Sequence, residues 1–162
     1  MNKIFIIGYM FAGKTTYGRQ LANKLLMPFI DLDKLVEQHC EKTIQEIFEE
    51  QGELYFRQQE HNLLIKLCED DNPSVISCGG GTPCFYENLE IMKRYGKVIY
   101  LRTPLNTIIS RAKKERQNRP VLSGISDYEL NNFITKHFNE RESYYLQADL
   151  IYDSQSITNL QK

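Results

Sequence analysis

The sequence predicts an α/β fold built on a parallel sheet with helices on both faces. Three observations predict it. A short β-rich run, Lys3 to Ile7, ends at Gly8 and gives way to a helical pattern from Lys14 to Leu26. Further apolar runs of strand length alternate with longer stretches of helical period along the chain. Glycines follow two of those runs directly, at Gly8 and at Gly79-Gly80-Gly81. The 162 residues suffice for one domain, 1–162, around a single buried core, with any extra lobes as insertions within it.

After the opening strand, loop and helix, Pro28 to Asp31 reads as a second strand with acidic residues at its end. Lys34 to Gln51 then reads as one helix, with Leu35, Ile44, Ile47 and Phe48 on its apolar side, and a second helix is expected from Leu54 to Cys68. Asn72-Pro73 ends it, and Ser74 to Cys78 is a buried strand leading into the glycine triplet. Lys97 to Leu101 forms another strand and Leu105 to Arg116 another helix. The stretch from Arg116 to Asp127 is polar and basic, contains Pro120 and Gly124, and has no strong period, which predicts a mobile loop. Tyr128 to Tyr145 is helical, Leu150 to Tyr152 is a last strand, and a closing helix after Ser156 would be short.

Composition narrows the function classes. Hydrophobic residues make up 41% and charged residues 25%, the balance of a globular rather than a disordered chain. Twenty Lys+Arg against 21 Asp+Glu give a net charge of −1, so no global basic field exists to gather nucleic acid or anionic lipid. The longest apolar run, Ile4 to Ile7, is too short to cross a bilayer and nothing ahead of it reads as a signal peptide, so a cytoplasmic protein is expected. Cys40, Cys68, Cys78 and Cys84 form no C-x-x-C pair and no zinc-like spacing with histidine, and structural thiols are expected.

Gly8-Tyr9-Met10-Phe11-Ala12-Gly13-Lys14-Thr15 matches G-x-x-x-x-G-K-[ST] between a predicted strand and a predicted helix. In such a P-loop, backbone N–H groups and the helix N-terminus surround polyphosphate oxygens. Lys14 would reach the β- and γ-phosphates and the Thr15 hydroxyl would hold Mg²⁺. Asp31 and Asp33 sit where a parallel sheet binds ligands, and two readings stand for them: metal and substrate chemistry, or a helix N-cap. The glycine triplet allows backbone to approach a ligand closely. Arg57, Arg111, Arg116, Arg119 and Arg141 are scattered, and a solvated face is the usual fate of such charges. Arg119 lies in the suspected mobile loop, a place from which an arginine can close over phosphates, and Arg57 and Arg141 have the planar fork that grips a carboxylate.

Taken together, several of these motifs resemble the shikimate kinase family. Gly8 to Thr16 resembles its phosphate loop, Phe29 to Asp33 its D-x-D strand end, and Gly52 to Arg57 followed by Glu60 its G-E-x-x-F-R segment. The triplet at 79–81, Arg119-Pro120-Val121-Leu122, and Arg141 with Tyr145 and Ala148-Asp149 follow in the family's order over nearly the whole chain. The resemblance implies a three-layer P-loop fold like that of nucleoside monophosphate kinases, with a five-stranded parallel sheet, a substrate-binding helical segment at 32–60 and a mobile lid at 112–125. It implies transfer of the γ-phosphoryl of ATP to the 3-hydroxyl of shikimate, with Mg²⁺, on the route to aromatic amino acids, by a monomer.

By resemblance, Asp33, Arg57, Gly79, Gly80, Gly81 and Arg141 bind shikimate. Phe11, Ala12, Gly13, Lys14, Thr15, Thr16, Arg111 and Arg119 bind ATP. Thr15 ligates Mg²⁺ while Asp31 holds it through water, and Lys14, Asp33 and Arg119 are catalytic. Two features depart from the family pattern: Phe11 stands where a loop glycine is usual, and the segment between Arg111 and Arg119 is about one residue longer. The competing readings are another small-molecule kinase, acting on gluconate or a nucleoside monophosphate, and a nucleotide-binding regulator that has lost catalysis. The first lacks the D-x-D, F-R and G-G-G set; intact Lys14, Thr15, Asp33 and Arg119 argue against the second.

Overall fold

Five parallel strands form the central sheet of the structure, a computed structural model that describes residues 2–116, 119–122 and 124–155. In chain order they are β1 (Lys3–Ile7), β2 (Phe29–Asp31), β3 (Ser74–Ser77), β4 (Gly96–Arg102) and β5 (Leu150–Asp153). In space they run β2-β3-β1-β4-β5. The helices are α1 (Lys14–Leu25), α2 (Leu32–Cys40), α3 (Ile44–Glu69), α4 (Asn88–Tyr95), α5 (Leu105–Glu115) and α6 (Asp127–Tyr145), with short 3₁₀ turns at Thr82–Cys84 and Pro120–Leu122.

The strands are apolar on both sides because helices cover both sides. Phe5, Ile7, Ile76, Val98 and Tyr100 point into the larger core, packed by Leu32, Val36, Ile47, Leu64, Met92, Ile108, Ile134 and Tyr145 of α2 to α6. Their neighbours in the strands, Ile6, Val75, Ile99 and Leu101, point the other way, against Ala22 and Leu21 of α1. Strand order then decides where chemistry can happen. The chain leaves β1 for β2 on one side and returns past it to β4 on the other, so a crevice opens at the carboxyl ends of β1 and β3. Ile6 pairs with Ser77 and Asp31 also lies opposite Ser77, which puts the loop after β1, the acidic end of β2 and the glycine triplet after β3 side by side.

One helix assignment needs correction, and one helix went unforeseen. The stretch 34–51 is not one helix: α2 stops at Cys40, Glu41 takes a left-handed φ of 53°, and α3 begins at Ile44. The signal was present as Thr43-x-x-Glu46, a capping box in which the Thr43 hydroxyl accepts from the Glu46 N–H and the Glu46 carboxylate accepts from Thr43. The break expected before Leu54 does occur, inside α3, where Gly52 has φ 84° and ψ 169°, angles that suit glycine alone. The 3₁₀ turn at Thr82–Cys84 and α4 were not anticipated; α4 has only eight residues, too few for a clear period.

The four cysteines are free thiols, with Cys68 and Cys78 buried and Cys40 and Cys84 half-buried. Among the described residues no helix is long and apolar enough to cross a membrane. The expected closing helix after Ser156 lies outside the described residues, as do positions 117, 118 and 123 of the expected lid.

Candidate active site

At the carboxyl edge of the sheet lies an open cleft of about 1220 Å³, and every residue assigned above to substrate, nucleotide or metal lines it. Residues from positions 11 to 141 are gathered there by the strand order.

The loop after β1 is braced from below. The Ala12 N–H donates to the Tyr9 carbonyl, and the Thr103 hydroxyl, buried just beyond β4, donates to the Ala12 carbonyl at 3.0 Å while accepting from Ser154 at 2.9 Å. Lys14 lies across the loop with its ammonium donating to the Tyr9 carbonyl at 2.9 Å. Burial pulls the Lys14 pKa down to about 8, and the positive charge of Arg119 pushes the same way. Phe11 takes the left-handed φ of 62°, a conformation that costs a residue with a Cβ about 1–2 kcal/mol. Its carbonyl accepts from the Arg111 guanidinium at 2.7 Å, which ties the loop to α5.

Asp31 is the N-cap that one of the two readings expected, and its second oxygen is turned to the phosphate loop. One carboxylate oxygen caps α2 by accepting from the Lys34 N–H, and the other accepts from the Thr15 hydroxyl at 2.9 Å. Thr15 and Asp31 are thus already paired as a hydroxyl and a carboxylate beside a phosphate loop. Mg²⁺ is commonly held by one or two such oxygens together with substrate phosphates, and this donor set fits it. Asp33, in the first turn of α2, makes no hydrogen bond to the described residues, and burial raises its pKa to about 6, with the Glu60 and Asp31 carboxylates adding to the rise.

Arg57 is not a solvated charge. It is 4% exposed, pairs with Glu60 at 2.9 Å and Glu53 at 3.2 Å, and lies between the rings of Phe56 and Phe85 at 5.0 and 4.6 Å. Three of its five N–H groups are used, one on Nε and one on each terminal nitrogen. One N–H therefore remains on each terminal nitrogen, the number a carboxylate fork requires. Arg141, also buried, lies across the glycine triplet from it.

Two members of the triplet have neighbours where a Cβ would sit. A Cβ on Gly79 would lie 2.8 Å from Asp33 Oδ1 and 3.0 Å from Glu60 Oε1, and one on Gly81 would overlap the Arg57 guanidinium. The turn is held by the Tyr145 hydroxyl, which donates to the Gly80 carbonyl at 2.6 Å, and by the Asn88 amide, which donates to the Thr82 carbonyl at 2.9 Å.

Arg116 is not part of the cleft; it bonds the Ile125 carbonyl and pairs with Asp127. Conversely, the sequence reading assigned no role to Glu60, which is fully buried, holds Arg57 and accepts from the Thr82 hydroxyl at 2.6 Å. Its signal was the i, i+3 spacing from Arg57 on one helix. Thr103 gave no signal beyond following a strand, and Tyr145 none beyond its place near Arg141.

The protonation of Asp33 yields a testable consequence. A carboxyl whose folded pKa is raised above its usual 3.8 destabilises the folded state when ionised, so the cost is absent below about pH 4 and complete above about pH 6. Asp33→Asn is expected to raise Tm of the ligand-free protein at pH 7.5 by a few degrees, a gain that fades as pH falls from 6 to 4. A lower Tm at both pH values would show instead that Asp33 supports the fold.

The chain matches the family model described as "Shikimate kinase" over residues 10–162. A shikimate kinase of Bacteroides thetaiotaomicron is 44% identical over 97% of this chain and 89% of its own length, and one of Flavobacterium psychrophilum is 39% identical over 90% and 85%. Among solved structures, the crystal structure of the B. thetaiotaomicron shikimate kinase superposes with a TM-score of 0.86 at 45% identity, covering 94% of this chain and 86% of that one. A shikimate kinase from Acinetobacter baumannii in complex with shikimate gives 0.88 at 31% identity, covering 99% and 93%.

Proposed function

The chain belongs to the shikimate kinase family, and from that membership we propose that it transfers the γ-phosphoryl of ATP to the 3-hydroxyl of shikimate, giving shikimate 3-phosphate and ADP on the route to aromatic amino acids. The observation that carries the reading is the convergence in one cleft of a phosphate loop, a carboxyl at Asp33 with no hydrogen-bond partner among the described residues, and two buried arginines, Arg57 and Arg141, each beside the glycine triplet. A polyphosphate fits the first, an attacking hydroxyl the second and a substrate carboxylate the third.

In this reading the N–H groups of residues 11–16 and the N-terminus of α1 receive the phosphates. Lys14 exchanges its bond to the Tyr9 carbonyl for one to phosphate, and the added negative charge raises its pKa again and keeps it protonated. Arg111, tied to the Phe11 carbonyl, borders the nucleotide side. Mg²⁺ held by Thr15, with Asp31 behind it, would neutralise charge on the phosphates. Arg57 and Arg141 grip the shikimate carboxylate and so fix the distance of its ring hydroxyls from the loop. Asp33 orients the 3-hydroxyl. With a pKa near 6 it is ionised at neutral pH and can accept the proton as the hydroxyl attacks. The transition state of such a transfer is loose, so alignment and charge from Lys14 and Arg119 supply most of the acceleration. Residues 32–60 form the substrate-binding segment and 112–125 the lid, and the enzyme acts as a monomer.

A coupled assay of ADP release tests the proposal. Release is expected to depend on shikimate, with gluconate and CMP giving only the background of ATP alone. Stimulation by either of those, and not by shikimate, would overturn it.

A further inference from the structure

We propose that Phe11 is a positioning residue whose ring holds the Arg119 guanidinium over the phosphate loop before nucleotide arrives. The proposal deepens the kinase reading and rests on it for its catalytic consequence. The Arg119 guanidinium lies 5.3 Å from the centre of the Phe11 ring, within the range of a cation–π contact. Among the described residues its side chain has no hydrogen bond, and its attractive contacts are the Phe11 ring face and the nearby Asp33 carboxylate.

Something must hold it there. Arg119 is close enough to Lys14 to lower that ammonium's pKa, so two cations meet in a site that has no phosphate to separate them. Asp33 and Asp31 offset part of the repulsion on Lys14. On the Arg119 side part of the offset comes from Asp33, and the negative face of the Phe11 ring supplies the contact that fixes where the guanidinium lies. The same residue is anchored behind: its carbonyl accepts from Arg111 at 2.7 Å, and the ring packs half-buried against the main core. Phe11 therefore connects the phosphate loop both to α5, through Arg111, and to the Arg119 segment beyond it.

The backbone gives a second reason to credit the ring. At φ 62° the position favours glycine, so a phenylalanine there works against its own conformational preference. The ring's contact with Arg119 is what the residue supplies in return. Placing the arginine in advance spares the enzyme the ordering of a long side chain when ATP binds.

The test compares Phe11→Gly, Phe11→Leu and Phe11→Trp with the wild type. Phe11→Gly and Phe11→Leu are expected to lower kcat roughly three- to tenfold, the size of a partly desolvated cation–π contact, with little change in KM for shikimate. Phe11→Trp should retain wild-type kcat. Tm of Phe11→Gly should change little, since relief of the left-handed backbone offsets the loss of the ring's half-buried packing. Hydrogen exchange of the ligand-free proteins reads the arginine's placement without any activity: the amides of Arg119 and Leu122, bonded at 3.0 and 2.9 Å, should lose protection in the Gly and Leu variants and keep it in Trp. Unchanged exchange in Phe11→Gly, wild-type kcat in Phe11→Leu, or a kcat loss in Phe11→Gly that follows a drop in Tm would each overturn the proposal. If wild type shows no shikimate-dependent ADP release, the kinase reading fails, and the exchange data still decide whether Phe11 places Arg119.

Discussion

Lys14→Ala is expected to lower kcat at least a hundredfold while leaving the far-UV spectrum native and Tm unchanged or higher. The activity loss follows from where the ammonium lies: across the phosphate loop, bonded to the Tyr9 carbonyl, where no other lysine among the described residues bonds the loop to take over its charge on the transferring group. A preorganised donor to developing phosphate charge contributes about 3–4 kcal/mol, which is two to three orders of magnitude in rate. The stability follows from the empty site. There Lys14 is held at a pKa of about 8 by burial and by Arg119, so at pH 7 it carries a charge that the folded protein disfavours. Its one hydrogen bond is to the Tyr9 carbonyl, which also accepts from Ala12 and is not orphaned by the change. As pH rises from 8 to 10.5 the buried ammonium is relieved, so the Tm difference between variant and wild type should shrink across that window. Turnover above about a tenth of wild type would sink the assignment of Lys14 to the phosphates.

Arg57→Ala should behave in the opposite way, losing both fold stability and shikimate. Glu60 is fully buried, and without Arg57 its carboxylate keeps only the Thr82 hydroxyl. Removing one partner of a buried pair costs about 3–5 kcal/mol, a large part of the 5–15 kcal/mol that holds an ordinary domain together. For a chain of this size a Tm drop of about 10 °C is the expected scale. Shikimate affinity should fall ten- to a hundredfold, the worth of a charge-assisted fork of roughly 1.5–3 kcal/mol, with ATP affinity nearly unchanged. The double variant Arg57→Ala/Glu60→Gln separates the two roles, because it removes the orphaned charge without restoring the fork. Its Tm should recover much of the loss while shikimate binding, measured by titration calorimetry, stays weak. Recovery of both would make Arg57 a structural residue alone.

The two arginine environments show why part of the site was hidden from the sequence. Arg57 and Arg116 look alike as residues in a polar stretch, yet one is sealed between two phenylalanine rings with a paired glutamate and the other ties Ile125 to Asp127 away from the cleft. The helical spacing of Glu53 and Glu60 marks Arg57 as pairable, but nothing local says that one arginine is buried and the other is not. Burial comes from α3 packing against the turn after β3, elements distant in sequence.

What the sequence determined by itself is whatever depends on near neighbours. Strand, P-loop and helix lie within the first 26 residues; the capping role of Asp31, the break at Gly52 and the alternation of strands with helices are each set by contacts within a few positions. Motif order added the family, because spacing along the chain survives in the text of the sequence. Only the tertiary structure decided the rest. The order β2-β3-β1-β4-β5 brings residues 11–15, 31–33 and 79–81 to one edge, and α3 and α6 then deliver Arg57 and Arg141 across it. Glu60 became the counter-ion of Arg57, Thr103 the brace of the phosphate loop, and Phe11 the ring beneath Arg119. Each of these roles is a matter of burial and distance between side chains that are remote in the chain, and such distances are fixed when the core packs, not by any local preference.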